Sequence, residues 1–201
     1  MTTGKSHFAL SPLADMPTFG TVVKDATPKD WLYIDSLRKK EGGALGFIPK
    51  SVYVSILERN RAGGRARYLY SRLLVTVDND DLTGFCYVSY AEQWAKIFQI
   101  VVQCDARRWH RALMMASVVE GDAERFGKQG VACRVAYDLE SNWFWRAMGY
   151  TPVKQVISTW LNQRESKSRR PLWEYRKLVG DHLFNRSGGD SGTNEDEQKS
   201  S

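Results

Sequence analysis

One stretch of the chain, residues 94–150, constrains the fold more than any other. It reads as a strand, WAKIFQIVV, an arginine-rich turn, a long amphipathic helix, a second buried strand and a short aromatic helix. Apolar residues recur three or four positions apart along the long helix, as in a helix that packs one face against a sheet. The stretch therefore predicts a parallel β-α-β unit. A basic turn at the mouth of its helix is suited to holding a phosphorylated ligand.

The elements on either side predict an α/β layout with a mixed sheet and one crossover helix. Thr27, Pro28 and Asp30 are typical of a helix start, since Thr27 can cap, Pro28 suits the first helical position and Asp30 can return the hydrogen bond. The four predicted helices end at Gly42-Gly43, Asn60, Gly127 and Gly149. The predicted strands cover residues 19–26, 72–78, 82–90, 94–102, 131–138, 151–160 and 171–178.

Charge is distributed unevenly along the chain. The whole chain carries +6, but residues 181–201 hold five acidic and two basic side chains, so residues 1–180 carry +9. A body this basic indicates an anionic partner, either nucleic acid or a phosphorylated small molecule, or else a solvated surface kept soluble by its charge. We expect a flexible N-terminus over 1–16, one domain over 17–180 and a disordered acidic tail over 181–201.

Composition also bears on the compartment. The chain has no run of eighteen apolar residues, so we expect no membrane span, and its N-terminus lacks the pattern of a secretory signal. The three cysteines, Cys86, Cys104 and Cys133, lack metal-ligand spacing. They are expected to be buried small hydrophobic residues in a reducing compartment, without a metal site. These features predict a cytoplasmic protein.

The arginine-rich turn and its helix follow the pattern V-x4-[RQ]-x-x-G-x-[GA]. Val102 is followed five positions later by Arg107, Ala112 stands at the last small position, and the helix runs to Gly127. An aromatic pair, FW, and then a Gly-aromatic pair, GY, close the segment. On these motifs, and on element order over roughly residues 19–178, the chain resembles the GNAT superfamily of acyl-CoA-dependent N-acyltransferases.

The resemblance implies a fold, a cofactor and a set of binding residues. The implied fold is α/β, with a mixed, mostly antiparallel sheet, flanking helices and a central β-α-β cofactor unit. The implied cofactor is acetyl-CoA or another acyl-CoA, with its pyrophosphate on free N–H groups at the helix start and its pantetheine beside the strand backbone. The residues implied to bind it are Ile100, Val101, Val102, Arg107, Arg108, Trp109, His110, Arg111, Ala112, Asp138, Asn142 and Trp145.

Two positions depart from the family's pattern. His110 stands where the family has a glycine that lets the backbone approach the pyrophosphate. Trp145 stands where the family has a phenol that protonates the leaving thiolate, and indole has no useful acid function. Another group could serve, proximity could carry the reaction, or the site could be catalytically altered. The candidate replacements are Tyr137, Ser141 and Tyr150, and the candidate general base is Glu92.

Two basic and aromatic patches stand where the family borders its acceptor cleft. Arginine interleaved with aromatic residues suits phosphate contact and base stacking, and the alternative is that both patches are exposed loop surface. The residues singled out for nucleic-acid contact are Arg65, Arg67, Tyr68, Arg169, Arg170 and Trp173.

The leading hypothesis is therefore an N-acyltransferase that transfers an acyl group, expected to be acetyl, to an amine. A nucleic acid acceptor is favoured over a free polyamine, because a polyamine would require an acidic cleft. A specific version is a DNA-base modifying enzyme of the kind found in bacteriophages, which must flip its base or act on a single strand. The alternatives are a GNAT-like domain without catalysis that binds nucleic acid or a protein, and an enzyme that uses a different donor.

Overall fold

The order of elements along the chain is the predicted one. The computed structural model describes residues 20–42, 45–46, 48–62, 71–107, 110–157 and 170–180. Within them lie β1 (Thr21–Asp25), α1 (Trp31–Lys40), α2 (Lys50–Ala62), β2 (Ser71–Asp78), β3 (Asp81–Ser89), β4 (Trp94–Val102), α3 (His110–Arg125), β5 (Gly130–Ala136), α4 (Ser141–Ala147), β6 (Thr151–Ile157) and β7 (Pro171–Leu178). Short 3-10 turns precede α1 and α3, at Pro28–Asp30 and Cys104–Ala106.

The strands form one seven-stranded sheet in the order β1-β2-β3-β4-β5-β7-β6. Only β4 and β5 pair in parallel, because α3 carries the chain back across the sheet between them. Every other neighbouring pair is antiparallel. The predicted mixed, mostly antiparallel sheet with a central β-α-β unit is confirmed.

Each face of the sheet has its own core. Helices α3 and α4 cover one face, where Met115, Val119 and Trp145 pack against buried residues of β3, β4, β5 and β7. Helices α1 and α2 cover the β2 and β3 part of the other face, where Ile34 and Tyr53 pack. Strand β5 lies between β4 and β7, and all of its residues except Arg134 are buried, which accounts for its apolar run.

Local turn signals predicted the ends of elements well. Asn79 and Asp80 both have positive φ, 48° and 72°, and form the two-residue turn between β2 and β3. The backbone N–H of Thr27 donates to the Asp30 carboxylate at 2.7 Å, as predicted, although the first turn is a 3-10 turn. Gly127 and Gly149 follow α3 and α4 with φ of 62° and 81°.

Two expectations about the chain were less accurate. Strand β5 ends at Ala136 and not at Asp138, because the chain turns there and Leu139 N–H donates to the Ala136 carbonyl at 3.2 Å. Cys86 and Cys133 are buried, and burial raises the pKa of the Cys86 thiol to about 12, but Cys104 is exposed.

Some expectations lie outside the described residues, namely the N-terminus over 1–16, the tail over 181–201, and Arg65, Arg67, Tyr68, Arg108, Trp109 and Arg169. No described helix has the length and apolar character needed to cross a membrane. Within the same part of the chain, no group of three or more His, Cys, Asp or Glu side chains is placed to hold a metal ion.

The close approach of β5 to its neighbours generates a stability prediction at Gly130. A Cβ there would collide with the Lys177 carbonyl and lie 2.7 Å from the Trp94 ring. We expect Gly130→Ala to lower the free energy of unfolding by at least about 1–3 kcal/mol, the usual cost of overpacking. Gly121→Ala, in α3 with open space around it, should instead stabilise the protein by about 0.5–1 kcal/mol. Urea denaturation of both variants measures the difference, and equal midpoints would contradict the packing described here.

Candidate active site

A fork between β4 and β5 is the main opening in the sheet. The two strands are paired only from Trp94–Gly130 to Ile97–Cys133. Beyond these pairs, β4 stays paired with β3 as far as Val102, and β5 stays paired with β7 as far as Ala136. The last residues of β4 and β5 therefore diverge, with backbone edges facing one another across a gap.

A bulge in β4 lies at the point where the fork begins. On β3, Tyr87 is opposite Gln99 while Val88 is opposite Ile97, so Phe98 has no partner of its own. An extra residue bends a strand and reverses the side chains that follow. Ile97 accordingly packs under α3, whereas Gln99 faces α2 and accepts a hydrogen bond from Tyr53.

The same reversal directs Ile100 and Val102 toward α3 and Val101 toward α1 and α2. Gln99, although buried, is well satisfied, because its Nε2 also donates to the Gly46 carbonyl at 2.6 Å. This bond ties the α1–α2 connection to β4 immediately after the bulge. The three β4 residues predicted to lie beside a cofactor are thus on the arm of the fork.

The open end of the fork leads to the start of α3. Arg107 is 51% exposed there, donates from Nε to the Val102 carbonyl at 3.2 Å and pairs with Glu41 at 2.7 Å. Arg111 is largely buried, pairs with Asp78 and donates from Nη1 to the Ala106 carbonyl at 2.7 Å. The arginines are thus held by the protein itself, with Arg107 the more accessible of the two.

Burial works against the charged form of Asp78, but hydrogen bonds from Arg111 and Thr21 outweigh it and lower the pKa of that carboxyl. His110 begins α3, and its Nδ1 is buried without a hydrogen-bond partner among the described residues. Ala112 follows in the first turn and is partly buried. This helix start therefore combines positive charge, the N–H groups that a first helical turn leaves without partners in the helix, and one imidazole nitrogen with no partner in the described part of the chain.

A cavity of about 580 Å³ lies beside the start of α3, between α1 and the β2–β3 hairpin. Burial, and then the charge of Asp105, raise the pKa of Tyr33 in its wall to about 12. The cavity is lined by Tyr33, Asp80, Asp81, Leu82, Thr83, Gln103, Asp105, Ala106 and Arg111. Three carboxylates against one guanidinium disfavour a phosphorylated ligand here, so we take the fork as the candidate site.

The corner between β5 and α4 is held by Asn142. Its Nδ2 lies within hydrogen-bonding distance of the carbonyls of Ala136, Tyr137 and Leu139, at 2.9, 3.2 and 2.6 Å. Its Oδ1 accepts a bond from Tyr175 Oη at 3.0 Å. The amide predicted to contact a cofactor therefore has internal partners on both sides. It keeps the β5 arm of the fork in place.

Asp138, the other polar residue predicted at this corner, is exposed and pairs with Arg170 at 2.8 Å. The hydrogen bond from Arg170 lowers the pKa of Asp138. This pair places Arg170, a predicted nucleic-acid contact, at the same corner as Asp138. Trp173 lies nearby on β7, opposite Val135, and its ring packs 6.2 Å from that of Tyr137.

The structure separates the candidate proton donors. Tyr137 directly follows β5 at the open end of the fork and is 59% exposed, and Ser141 is exposed at the first residue of α4. Tyr150 is instead buried beside Trp145, with ring centroids 4.9 Å apart. Burial and the charge of Glu120 raise the pKa of Tyr150 far above its usual range. Tyr150 contacts Lys177, which is opposite Val131 in the paired part of β5, so it is not brought to the open end.

Glu92, the predicted general base, lies at the other end of the fork from Tyr137. It is exposed, pairs with Lys96 at 2.5 Å and precedes β4 at the closed end of the fork. A bend over residues 91–93 precedes β4, so Glu92 lies before the paired part of the strand that ends at Ile97. A general base must reach the reacting proton directly or through one water. The role of Glu92 as the general base stays a prediction.

Sequence reasoning missed a charged cluster on the sheet face opposite α3. Glu174 of β7 is buried and accepts hydrogen bonds from Arg134 of β5 and from Arg176, at 3.2 and 2.7 Å. Lys154 of β6 lies 3.9 Å away. Arg134, a lone charge within an apolar strand, could have signalled this face, but the register that joins it to Glu174 is not visible in the sequence.

Burial disfavours the charged form of Glu174, but the bonds from Arg176 and Arg134 outweigh it and lower its pKa. Trp145 stands at the position that the sequence resemblance assigns to a phenol. It lies on α4, is 3% exposed and packs in the core with residues of α3 and the sheet. Glu174 is therefore a weak base, and the Trp145 indole cannot act as an acid.

Structure comparison identifies the fold. Ribosomal-protein-alanine N-acetyltransferase from Brucella melitensis aligns with a TM-score of 0.61 and 13% identity, over 79% of this chain and 99% of its own. The chain has the fold of the GNAT N-acetyltransferases. Arabidopsis thaliana NAA60 in complex with acetyl-CoA aligns with a TM-score of 0.63 and 11% identity, over 79% of this chain and 98% of its own.

An acetyltransferase from Salmonella typhimurium that modifies the N-terminal serine of a ribosomal subunit protein gives a TM-score of 0.62 and 10% identity, over 80% of this chain and 95% of its own. Compared by sequence, the chain matches no protein-family model and no curated protein. At these identities the likeness establishes the GNAT fold, and the activity has to be argued from the site.

The Glu174 cluster generates a pH prediction. A carboxyl whose pKa is lowered on folding stabilises the protein above its ordinary value of 4.5, and this contribution is lost as the pH falls below that value. We expect Glu174→Gln to lower the free energy of unfolding by at least about 1 kcal/mol at pH 7, with a smaller difference from wild type below about pH 4. Denaturation at several pH values measures this. Glu58→Gln, an exposed carboxyl on α2, is the control, and a constant difference for Glu174→Gln would contradict the prediction.

Proposed function

We propose that this chain is an acyl-CoA-dependent N-acyltransferase of the GNAT superfamily, with acetyl-CoA or another acyl-CoA as donor. The observation that carries the proposal is the fork between β4 and β5, which opens at the N-terminus of α3 within a GNAT fold. The geometry supplies unpaired strand backbone on one side and helical N–H groups on the other. Together these suit a long ligand that ends in phosphates.

The residues present fit such a cofactor. The N–H groups at the start of α3 would bind the pyrophosphate, and Arg107 would contribute a charge-assisted bond. The backbone of Ile100, Val101 and Val102 would orient the pantetheine. His110, at the position of the family's glycine, offers its buried Nδ1 as a donor when protonated there. Arg111 would act indirectly, since its bonds to Asp78 and Ala106 fix the loop before the helix.

Acyl-CoA, when bound, supplies the acyl group as a thioester, and a neutral amine is the nucleophile that such a group requires. Glu174, with a lowered pKa, is a weak base, so we infer that the amine arrives already deprotonated. Tyr137, exposed at the open end, is our candidate to hold the proton for the departing thiolate.

The charge of the chain bears on the chemical class of the acceptor. The charge of +9 on residues 1–180 supports an anionic acceptor, and a nucleic acid, including a DNA base, is one version. The three free cysteines support a cytoplasmic location. A second candidate function is a GNAT-like domain with altered catalysis that binds nucleic acid or a protein, and the burial of Trp145 at the phenol position favours it.

Titration calorimetry with acetyl-CoA tests the proposal. We expect wild type to bind, and Arg107→Gln to weaken binding about tenfold or more, because a hydrogen bond to a charged group contributes about 1.5–3 kcal/mol. Arg125→Gln, at the other end of α3, is the control and should bind like wild type. If neither acetyl-CoA nor longer acyl-CoAs bind to wild type, the acyltransferase proposal is wrong and the non-catalytic domain remains.

The role of Tyr137 predicts a loss of turnover without a loss of affinity. We expect Tyr137→Phe to lower kcat at least about tenfold, because general acids contribute at least that much, while acetyl-CoA affinity changes less than about twofold. Thiol release from acetyl-CoA with a panel of amine acceptors measures kcat. Tyr150→Phe should leave turnover unchanged, since the Tyr150 hydroxyl is buried in the core. Equal losses in both variants would remove Tyr137 from the mechanism.

A further inference from the structure

One half of a sheet face carries charged side chains. Helices α1 and α2 pack over β2 and β3, and no other described helix lies on the same side of β4, β5, β7 and β6. We call this region the open face and define it by Lys96, Phe98, Arg134, Lys154, Glu174 and Arg176. These side chains point away from α3, because Ile97, Cys133 and Tyr175, their neighbours along the strands, pack under it.

Strand register brings these residues into a compact group. Arg134 is opposite Glu174, which is in turn opposite Lys154, so one row crosses β5, β7 and β6. Lys96 is opposite Ala132, which is in turn opposite Arg176, so a second row crosses β4, β5 and β7. Since strands lie about 4.8 Å apart, each row spans about 10 Å.

Glu174 holds the cluster together without neutralising it. Arg134 and Arg176 each donate from Nε and Nη2 to this carboxylate. Neither Nη1 donates to a partner within the described residues. Arg134 and Lys154 are 58% and 55% exposed, so three cations surround one buried carboxylate, with an excess of two positive charges.

One carboxylate serves three cations, so two of the positive charges have no carboxylate of their own among the described residues of the cluster. The cluster also lies beside the fork. Phe98 stands at the bulge where the strands part, is half exposed and stacks on Tyr87 with ring centroids 5.1 Å apart. Arg134 immediately follows Cys133, the last β5 residue paired with β4. From the point where β4 and β5 separate, the open face thus presents first the Phe98 ring and then the cations of the cluster.

We propose that the acceptor carries one anionic group, a carboxylate or a phosphate, within about 10 Å of its amine, and that Arg134, Arg176 and Lys154 bind that group. The inference rests on the proposed acyltransferase function. Phe98 packs against the part of the acceptor that joins amine and anion. The cluster crosses only three strands, so it fits a single anion and not an extended polyanion, and its excess charge repels polyamines.

Matched amine pairs test this inference. One pair is the peptide amide Ser-Glu-Ala and its neutral partner Ser-Gln-Ala, and the other is 2-aminoethyl phosphate and 2-methoxyethylamine. Transfer from acetyl-CoA is followed by thiol release and product mass, with single-stranded DNA as a further acceptor. We expect at least one anionic member to exceed its neutral partner by about tenfold or more in kcat/KM, and the preferred pair identifies carboxylate or phosphate as the anion.

Substitutions in the cluster test whether it causes the preference for anionic amines. Arg134→Gln should reduce the anionic preference to less than about threefold, mainly through KM. Lys154 is exposed and lies 3.9 Å from Glu174, so Lys154→Gln is a milder change that should reduce the anionic preference partly. This variant keeps the test valid if Arg134→Gln does not fold. Lys24→Gln, an exposed lysine on β1 at the opposite edge of the sheet, should leave the preference unchanged.

The outcomes separate this inference from the proposed function. If acetyl-CoA binds but neutral amines react as well as anionic ones, the anionic acceptor is wrong and the acyltransferase proposal stands. The anionic acceptor is also wrong if only single-stranded DNA is acylated, or if none of these amines reacts. If the preference exists but survives in Arg134→Gln and Lys154→Gln, the open face is not its source. If acetyl-CoA itself does not bind, the proposed function fails first.

Discussion

The separation of β4 from β5 is the feature on which the rest of the site depends. Two parallel strands normally remain paired along their shared length, but here the pairing ends at Ile97 and Cys133. The bulge at Phe98 bends β4 at that point while β3 keeps hold of it. On the other arm, Asn142 and β7 hold β5. Each arm of the fork therefore has a partner strand behind it, β3 behind β4 and β7 behind β5.

The bulge also determines which residues face which side of the sheet. Without it, Gln99 would lie under α3 with Ile97, where a buried amide would lack its partners. With it, Gln99 binds Tyr53 and Gly46, and Ile100 and Val102 complete the core under α3. One inserted residue thus satisfies a buried polar group, packs two apolar side chains and opens the fork, which is why bulges are common beside functional sites.

Charged side chains are arranged differently at the start of α3 and on the open face. At the start of α3, Glu41 and Asp78 accompany Arg107 and Arg111, so the loop is stabilised before any anion binds. On the open face, Glu174 fixes Arg134 and Arg176 but leaves positive charge in excess. A single removal from such a cluster is costly because the remaining charge loses its partner. The first arrangement orients a loop, and the second leaves charge available to a ligand.

The sequence by itself determined the elements, their order and the superfamily likeness, because periodicity, turn residues and helix ends are local signals. Strand β4, the Asn79-Asp80 turn and the helix end at Gly127 all follow from neighbouring residues. Only the tertiary structure decided which side chains meet. Glu92 and Tyr150 are both suitable by residue type, but strand direction places Glu92 before β4, whereas burial places Tyr150 in the core. Arg134 and Glu174, forty positions apart, meet only because of strand register, a long-range property that no local pattern encodes.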